Sequence, residues 1–377
     1  MIGVPILFSK LLRKGSHSNY FNFLKFKKYM FKKFYKMFSN DIGIDLGTAN
    51  TLVYLKGHGI VINEPSVVVV NQKTGQIVAV GAEAKQMLGR TPGHVRAVRP
   101  IVDGVISDFE VTEEMLAYLI GKAEKMSKKF IRPRVLVGVP TGITNVEIRA
   151  VEDAAKSAGA REVHIVGEPM AGAVGTALPV KEPVGSVVID IGGGTTDVAV
   201  ISLSGVVRSK NLKIAGDRLN TDIINYMKDE FKLLVGEKTA ENVKIAIGSV
   251  MPGEYMEAEV RGRDLVTGLP REVIVTDTDI REAIMPSILT LVDGVREVLE
   301  TTPPELLSDS MHRGLVLIGG GAMLRGLDSL LHSVIKIPIY VAEDPLTAVA
   351  RGTGVILENF DDYKDVLVKA THDVSPR

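Results

Sequence analysis

The chain has 377 residues, room for two or three domains at about 150 residues each, and its 45 basic residues equal its 45 acidic ones. Taken over the whole chain, zero formal charge argues against nucleic-acid or membrane partners, and the lack of cysteine excludes a disulfide framework and any thiolate metal site. The average conceals two unlike segments: residues 1–40 hold nine basic residues, no acidic one and ten of the twenty Phe and Tyr, whereas the other 337 hold 36 basic and 45 acidic. No apolar run approaches the roughly 20 residues that span a bilayer. The apolar residues 1–8 have no basic region before them and no small-residue cleavage site after them, so no secretory signal is expected and the cytoplasm is the expected location.

In chain order, the first predicted element is a helix over about residues 30–39. At 100° per residue Phe31, Phe34, Tyr35 and Phe38 share one face, and Lys32, Lys33 and Lys36 lie opposite. A cationic amphipathic helix of this kind suits an interface rich in anionic lipid; docking on its own domain or in a partner's groove are the other readings. From Asp41 onward, aliphatic runs alternate with helical stretches. Strands are predicted at residues 67–70, 135–139, 186–189, 198–201 and 315–318. A helix is predicted over 145–158, with Val146, Ala150, Val151, Ala154, Ala155 and Ala158 as its apolar stripe and Gly159 as its stop. Between cations, Phe130 and Ile131 either dip into a bilayer or begin the buried strand that runs to Val139. Turn signals at Gly262 and at Gly268-Leu269-Pro270 predict a hairpin-rich region over 251–276. The alternation indicates α/β layers.

One echo organises the chain. Asp45-Leu46-Gly47-Thr48-Ala49-Asn50-Thr51 and Asp190-Ile191-Gly192-Gly193-Gly194-Thr195-Thr196 both read Asp-aliphatic-Gly-x-x-x-Thr between strand-like flanks. A repeat at this distance suggests two similar domains, each presenting one strand-turn-strand loop, joined near residues 178–186 (LPVKEPVGS). Such a turn aims backbone N–H groups at one spot, an anion nest, and its aspartate can hold Mg²⁺ through water. One such loop is most simply a structural turn; two in the same register, facing across a cleft, would grip a polyphosphate. No P-loop and no G-x-G-x-x-G after a strand offers another phosphate site.

These motifs, with Val166-Gly167-Glu168-Pro169-Met170-Ala171-Gly172-Ala173, Leu317-Ile318-Gly319-Gly320-Gly321-Ala322-Met323-Leu324 and the segment Pro345-Leu346-Thr347-Ala348-Val349-Ala350-Arg351-Gly352-Thr353-Gly354, resemble the phosphate, connecting and adenosine motifs of the actin, sugar kinase and Hsp70 superfamily. Residues 41–70, Arg99-Pro100-Ile101-Val102-Asp103-Gly104-Val105-Ile106 and Leu269-Pro270-Arg271 are similar to the MreB family of bacterial actins, and the likeness covers about residues 30–360. It implies an α/β fold with a duplicated ribonuclease H-like core: domain I over 41–180 plus about 351–372, with a small subdomain at about 69–101, and domain II over 181–350, with one at about 218–281.

The resemblance also assigns roles. Gly47, Thr48, Ala49 and Asn50, with Gly192, Gly193, Gly194 and Thr195, would hold the phosphates of ATP. Asp45 and Asp190 would hold Mg²⁺ through water. Glu241, Asn242, Val243 and Lys244 would contact ribose and base, although an ordinary solvated helix face is the simpler reading of that stretch alone. Gly319, Gly320, Gly321 and Ala322 would pack on the adenosine. Glu168 would orient or deprotonate the attacking water, with Thr195 assisting; without the family context it reads as a helix-start carboxylate before a proline. Members of the family form membrane-bound filaments, usually of paired antiparallel protofilaments, and organise cell-wall elongation with RodZ, MreC and MreD. Nucleic acid is not an expected partner. The likeness also offers Met30 as a start, which would make residues 1–29 either upstream sequence or an extension of the anchor. A sugar kinase, an Hsp70-like ATPase and a plasmid-segregating actin are the alternatives. No acidic substrate-pocket motif, no further substrate domain beyond Gly354 and no need for a lipid-binding helix, respectively, speak against them.

Overall fold

A computed structural model describes residues 41–127 and 131–368. The predicted amphipathic helix and Phe130 lie outside the described residues, and Ile131 is half-buried. Among the described residues no helix is long and apolar enough to cross a membrane.

Two five-stranded sheets share one strand order. In the first, Gly59–Pro65, Asn50–Leu55 and Ile42–Leu46 form an antiparallel meander, continued in parallel by Arg134–Val139 and Glu162–Gly167. In the second, Gly205–Leu212, Thr196–Ser202 and Ser186–Ile191 form the meander, followed by Leu315–Ile318 and Ile339–Val341. The registers correspond as well. Asp45 lies opposite Leu52 and Gly138, and Asp190 opposite Asp197 and Ile318. The sequence echo is therefore the visible part of a duplicated sheet. Parallel neighbours need crossovers, which the helices Phe109–Ser127 and Asn145–Ser157 supply in the first half. Every residue of Ser186–Ile191 is buried, which is why it reads as a continuous Val/Ile run instead of an alternating one. Full burial of each large aliphatic there contributes about 1.5–3 kcal/mol.

A three-stranded sheet interrupts each half. Ile77–Val80, Val68–Asn71 and Val95–Val98 form one, with the helix Ala82–Met87 beside it; Leu233–Leu234, Glu257–Asp264 and Pro270–Thr276 form the other. The hairpin predicted over 251–276 turns at Gly268, where φ is 75°. Gly262 is not a turn. It sits inside a strand, where a Cβ would stand 2.6 Å from the Leu234 carbonyl oxygen of the neighbouring strand.

The helix predicted over 145–158 runs Asn145–Ser157 and opens with a capping box: Thr144 Oγ1 accepts from Glu147 N at 3.2 Å, and Glu147 Oε2 accepts from Thr144 N at 2.6 Å. Its buried face is Ile148, Val151, Ala154 and Ala155, while Val146 is 76% exposed. At 100° per residue Val146 points about 150° away from the centre of that arc, so the apolar residue in the first turn belongs to the solvent side.

The halves are joined at a helix crossing. Glu168–Gly175 packs on Ala348–Glu358 so closely that a Cβ on Gly175 would meet the Ala348 carbonyl and one on Gly352 the Ala171 carbonyl. After Ala348–Glu358 the chain returns to the first sheet, where Leu367 bridges to Val166 and Val368 N donates to Ile165 O at 2.9 Å.

Candidate functional site

Each hairpin turns just after an aspartate. Asp45 is the penultimate residue of Ile42–Leu46, and Asp190 holds the same place in Ser186–Ile191. The turns that follow, Gly47 to Asn50 and Gly192 to Thr195, meet tip to tip. A Cβ added to Gly193 would stand 2.6 Å from Ala49 Cβ, and one on Gly194 2.6 Å from Thr48 Oγ1. Bare backbone permits that approach, and a side chain would wedge the turns apart. Thr48 and Thr195 are buried, and Ala49 is exposed. Thr48 Oγ1 accepts from Gly104 N at 3.0 Å, which leaves its hydroxyl hydrogen for another acceptor. The second turn is held from behind by the start of the helix Gly216–Asp229. Gly216 N donates to Gly192 O at 3.2 Å and Asp217 N to Gly193 O at 2.8 Å.

Four carboxylates crowd below the turns. Glu168 opens Glu168–Gly175, with Pro169 in its first turn, and its Cγ lies 3.6 Å from where a Cβ of Gly138, the sheet partner of Asp45, would be. Burial pushes Glu168 well above the usual carboxylate range, and Asp45, Asp190 and Asp197 push it further. Burial does the same to Asp190, again with Asp45 and Asp197 adding to it. Burial moves Asp45 up to about 7. Asp197 is raised by burial against hydrogen bonds from Thr141 and Asn211 that pull it down. Like charges gathered in a cleft make a place short of positive charge, a recurrent property of functional sites. Among the described residues no three His, Asp or Glu are grouped to hold a metal by themselves. The donor set thus fits a hydrated cation whose remaining ligands are water or phosphate oxygens, as Mg²⁺ prefers.

The other predicted residues fall around this centre. Glu241 and Lys244 share one face of the helix Glu237–Ile247 and are half-buried, Asn242 is exposed and Val243 turns into the core. Lys244 Nζ donates to Gly216 O at 2.8 Å, and burial lowers its pKa against the pull of Glu241, Asp217 and Glu237. Gly319 has φ 79°, and a Cβ there would stand 2.5 Å from Asp190 Oδ1. The turn Gly320–Met323 follows, with Ala322 buried. The glycines at 319 and 321 are thus needed for packing against Asp190 and Ile191 of their own half, whatever else they touch.

Four contributors have no motif of their own. Thr141 donates to Asp197 Oδ1 from its backbone N at 3.0 Å and from its hydroxyl, and Asn211 Nδ2 donates to Asp197 Oδ2 at 3.1 Å. Gly216 and Asp217 anchor the second turn. Thr141 follows Arg134–Val139, the counterpart of Leu315–Ile318, so extending the repeat by one strand would have pointed to it.

Residues 39–365 match the family model described as MreB/Mbl protein. The chain is 55% identical over 337 residues to the cell shape-determining protein MreB of Escherichia coli (strain K12), covering 88% of this chain and 97% of that one. It is 49% identical over 326 residues to the cell shape-determining protein Mbl of Bacillus subtilis (strain 168), covering 86% and 98%. Among solved structures, MreB5 of Spiroplasma citri bound to ADP superposes with a TM-score of 0.82 at 38% identity, covering 87% and 98%, and the same protein bound to AMPPNP gives 0.81 at 37%. The duplicated sheets are the actin-like core, and the chain belongs to the MreB/Mbl family.

Proposed function

We propose that this chain binds ATP with Mg²⁺ between its two hairpins, hydrolyses it, and polymerises into membrane-associated filaments that determine rod shape by organising cell-wall synthesis. The observation that carries the reading is the tip-to-tip meeting of two duplicated turns above four carboxylates of raised pKa. Relatives named cell shape-determining proteins, and a relative bound to ADP and to AMPPNP, support it.

Backbone N–H groups of Gly47 to Asn50 and of Gly193 to Thr195, with the Thr48 hydroxyl, bind phosphate oxygens, while Gly192 N, donating to Thr195 O at 2.9 Å, closes the turn that presents them. Glu241 and Lys244 hold the ribose side, and Gly319 to Ala322 the adenosine. Asp45 and Asp190 hold Mg²⁺ through its waters. When bound, that ion supplies neutralisation of charge on the phosphates. Glu168, whose basicity is raised by burial and by Asp45, Asp190 and Asp197, orients water and accepts its proton, and Thr195 positions the same water. The two halves, 41–180 with about 351–372 and 181–350, hinge at the crossing of Glu168–Gly175 and Ala348–Glu358.

The reading includes self-association into paired protofilaments and contact with membrane proteins such as RodZ, MreC and MreD, and membership of the family supports it. The face of Phe31, Phe34, Tyr35 and Phe38, backed by Lys32, Lys33 and Lys36, holds the filament to the inner face of the cytoplasmic membrane, with Phe130 and Ile131 as a second contact. Sedimentation and electron microscopy with Mg²⁺-ATP, with and without anionic liposomes, test this reading. Filaments that bind the vesicles are expected, and replacing Phe34 and Phe38 by Glu should release them from lipid while filaments persist. Absence of filaments under every condition, together with ATP-dependent phosphorylation of a sugar, would overturn it.

A further inference from the structure

The segment Arg99-Pro100-Ile101-Val102-Asp103-Gly104-Val105-Ile106 carries part of the family resemblance but no role so far. It forms the small hairpin Ile101–Val102 and Val105–Ile106, turned by Asp103 at φ 50° and Gly104 at φ 76°. The hairpin belongs to the first half of the chain and touches the second at both ends. At its tip, a Cβ on Gly194 would stand 3.0 Å from Asp103 Cα, and the Asp103 carboxylate lies 3.6 Å from Lys213 Nζ. At its base, the Arg99 guanidinium lies 2.6 Å from the Glu237 carboxylate and 3.8 Å from that of Asp217. Beside it, Lys85 Nζ, also from the first half, lies 3.2 Å from Glu241.

We infer that Arg99, seconded by Lys85, is a cross-cleft latch that holds the lip of the nucleotide cleft shut and sets how fast nucleotide leaves. The inference rests on the nucleotide reading above, because Glu241 and Lys244 are the residues given to the ribose side. Two cations of the first half face three carboxylates of the second, and Lys244 completes the balance from behind. Glu237 and Glu241 are one turn apart on a single helix, so Arg99 and Lys85 grip the same element that bears the ribose contacts. Asp217 in turn holds the second phosphate turn through its backbone N. An exposed ion pair alone is weak. Arg99 Nη1 stands between two carboxylates with its side chain half-buried, and a partly desolvated charge contact of this kind is stronger than an exposed one. Burial works against the charge of Arg99, yet Glu237, Asp217 and Glu241 raise its pKa overall. Opening the lip separates these charges, so the latch acts on dissociation more than on association. Arg99 touches no reacting atom and is a positioning residue.

The test uses the full chain with a fluorescent ADP analogue released into excess unlabelled ADP, and amide hydrogen exchange on the nucleotide-free protein. Arg99→Glu places a third negative charge against Glu237 and Asp217 and should speed release about 10-fold. Glu237→Arg, which approaches the same contact from the other side, should act in the same direction. The double variant, Arg99→Glu with Glu237→Arg, again sets opposite charges across the contact, and its new cation also faces Asp217. It should return release to within about 3-fold of wild type, which a merely structural defect would not do. Without nucleotide, amides of Glu237–Ile247 should exchange faster in each single variant and recover in the double. A wild-type chain that fails to bind the analogue overturns the nucleotide reading, and exchange still reports on the latch. A wild type that binds, with single variants that release and exchange at its rate, or a double variant that restores neither, overturns the latch.

Discussion

The two hairpins share a backbone but not a chemistry. Both place an aspartate before a glycine turn, and both return on a strand whose first inward residue is threonine, Thr51 or Thr196. One step later they part: Leu52 in the first joins the hydrophobic interior, whereas Asp197 in the second is buried and reaches across to Thr141 of the opposite half. The strand-to-helix joints diverge likewise. Glu168-Pro169 follows the last strand of the first sheet, and Asp344-Pro345 follows the last strand of the second. Glu168 sits among the carboxylates with its pKa raised, while Asp344 is spent locally, accepting from Thr347 Oγ1 at 2.5 Å and pairing with Arg351 at 3.7 Å. Duplication built two matching turns, and single-residue divergence put a buried carboxylate at Asp197 in one half and drew Glu168 in among the carboxylates in the other.

The sharpest break of that comparison is Glu168→Ala against Asp344→Ala. The first should lower the rate of phosphate release by about 10²–10⁴-fold, the usual worth of a positioned acid or base, while titration with a fluorescent ATP analogue changes little. The second should leave hydrolysis near wild type. A Glu168→Ala protein that turns over at the wild-type rate removes Glu168 from the mechanism.

Next in size is Leu52→Asp, which gives the first hairpin the residue of the second. Leu52 is 5% exposed and lies opposite Asp45 on the neighbouring strand, so the new carboxylate is buried beside another carboxylate. Loss of at least about 3 kcal/mol is expected in urea unfolding. The reciprocal change, Asp197→Ala, orphans the Thr141 N–H and hydroxyl and the Asn211 amide. Partial solvent access at Thr141 softens this, and about 1–3 kcal/mol is expected by the same measurement.

Much of this site could be read before any coordinates. The repeat announced two hairpins because phosphate turns need Gly and Asp at fixed offsets, and offsets survive in sequence. Asp45 and Asp190 were legible for that reason, and Glu168 through the family resemblance alone; the strands were legible because their Val/Ile runs record burial. The contacts of Thr141 with Asp197 and of Arg99 with Asp217 were not, because each joins distant parts of the chain and no local pattern records the partner. The misjudged details share a cause. Local rules of helix stripe and turn govern the readings of Val146 and Gly262, and tertiary packing decides which apolar arc faces inward and where two strands need a bare Cα. The segment before Asp41 differs again: its composition alone suggests a membrane, by segregation of charge that a whole-chain average cancels.

The smallest effect follows from Asp45, whose ordinary value of 3.8 is moved up to about 7 by burial. Because the folded value lies above the unfolded one, the folded chain holds a proton that the unfolded chain gives up. The stability tied to that proton is complete below about pH 4 and is lost as pH rises through about 7. Asn mimics the protonated form, so Asp45→Asn should match wild type at pH 4 without nucleotide and exceed it at pH 8. The expected gain is on the order of 1 kcal/mol, since the carboxylate keeps some contact with water, or a few degrees in Tm for a chain of this size. Saturating Mg²⁺-ATP should reverse the ranking, because a bound cation favours the ionised aspartate and gives Asn nothing in return. A melting series in pH, with and without Mg²⁺-ATP, reads both signs. A wild type that stays level with Asp45→Asn at pH 8 in both series would mean that the strain of the crowded carboxylates is borne by Glu168 in the same half and Asp190 in the other.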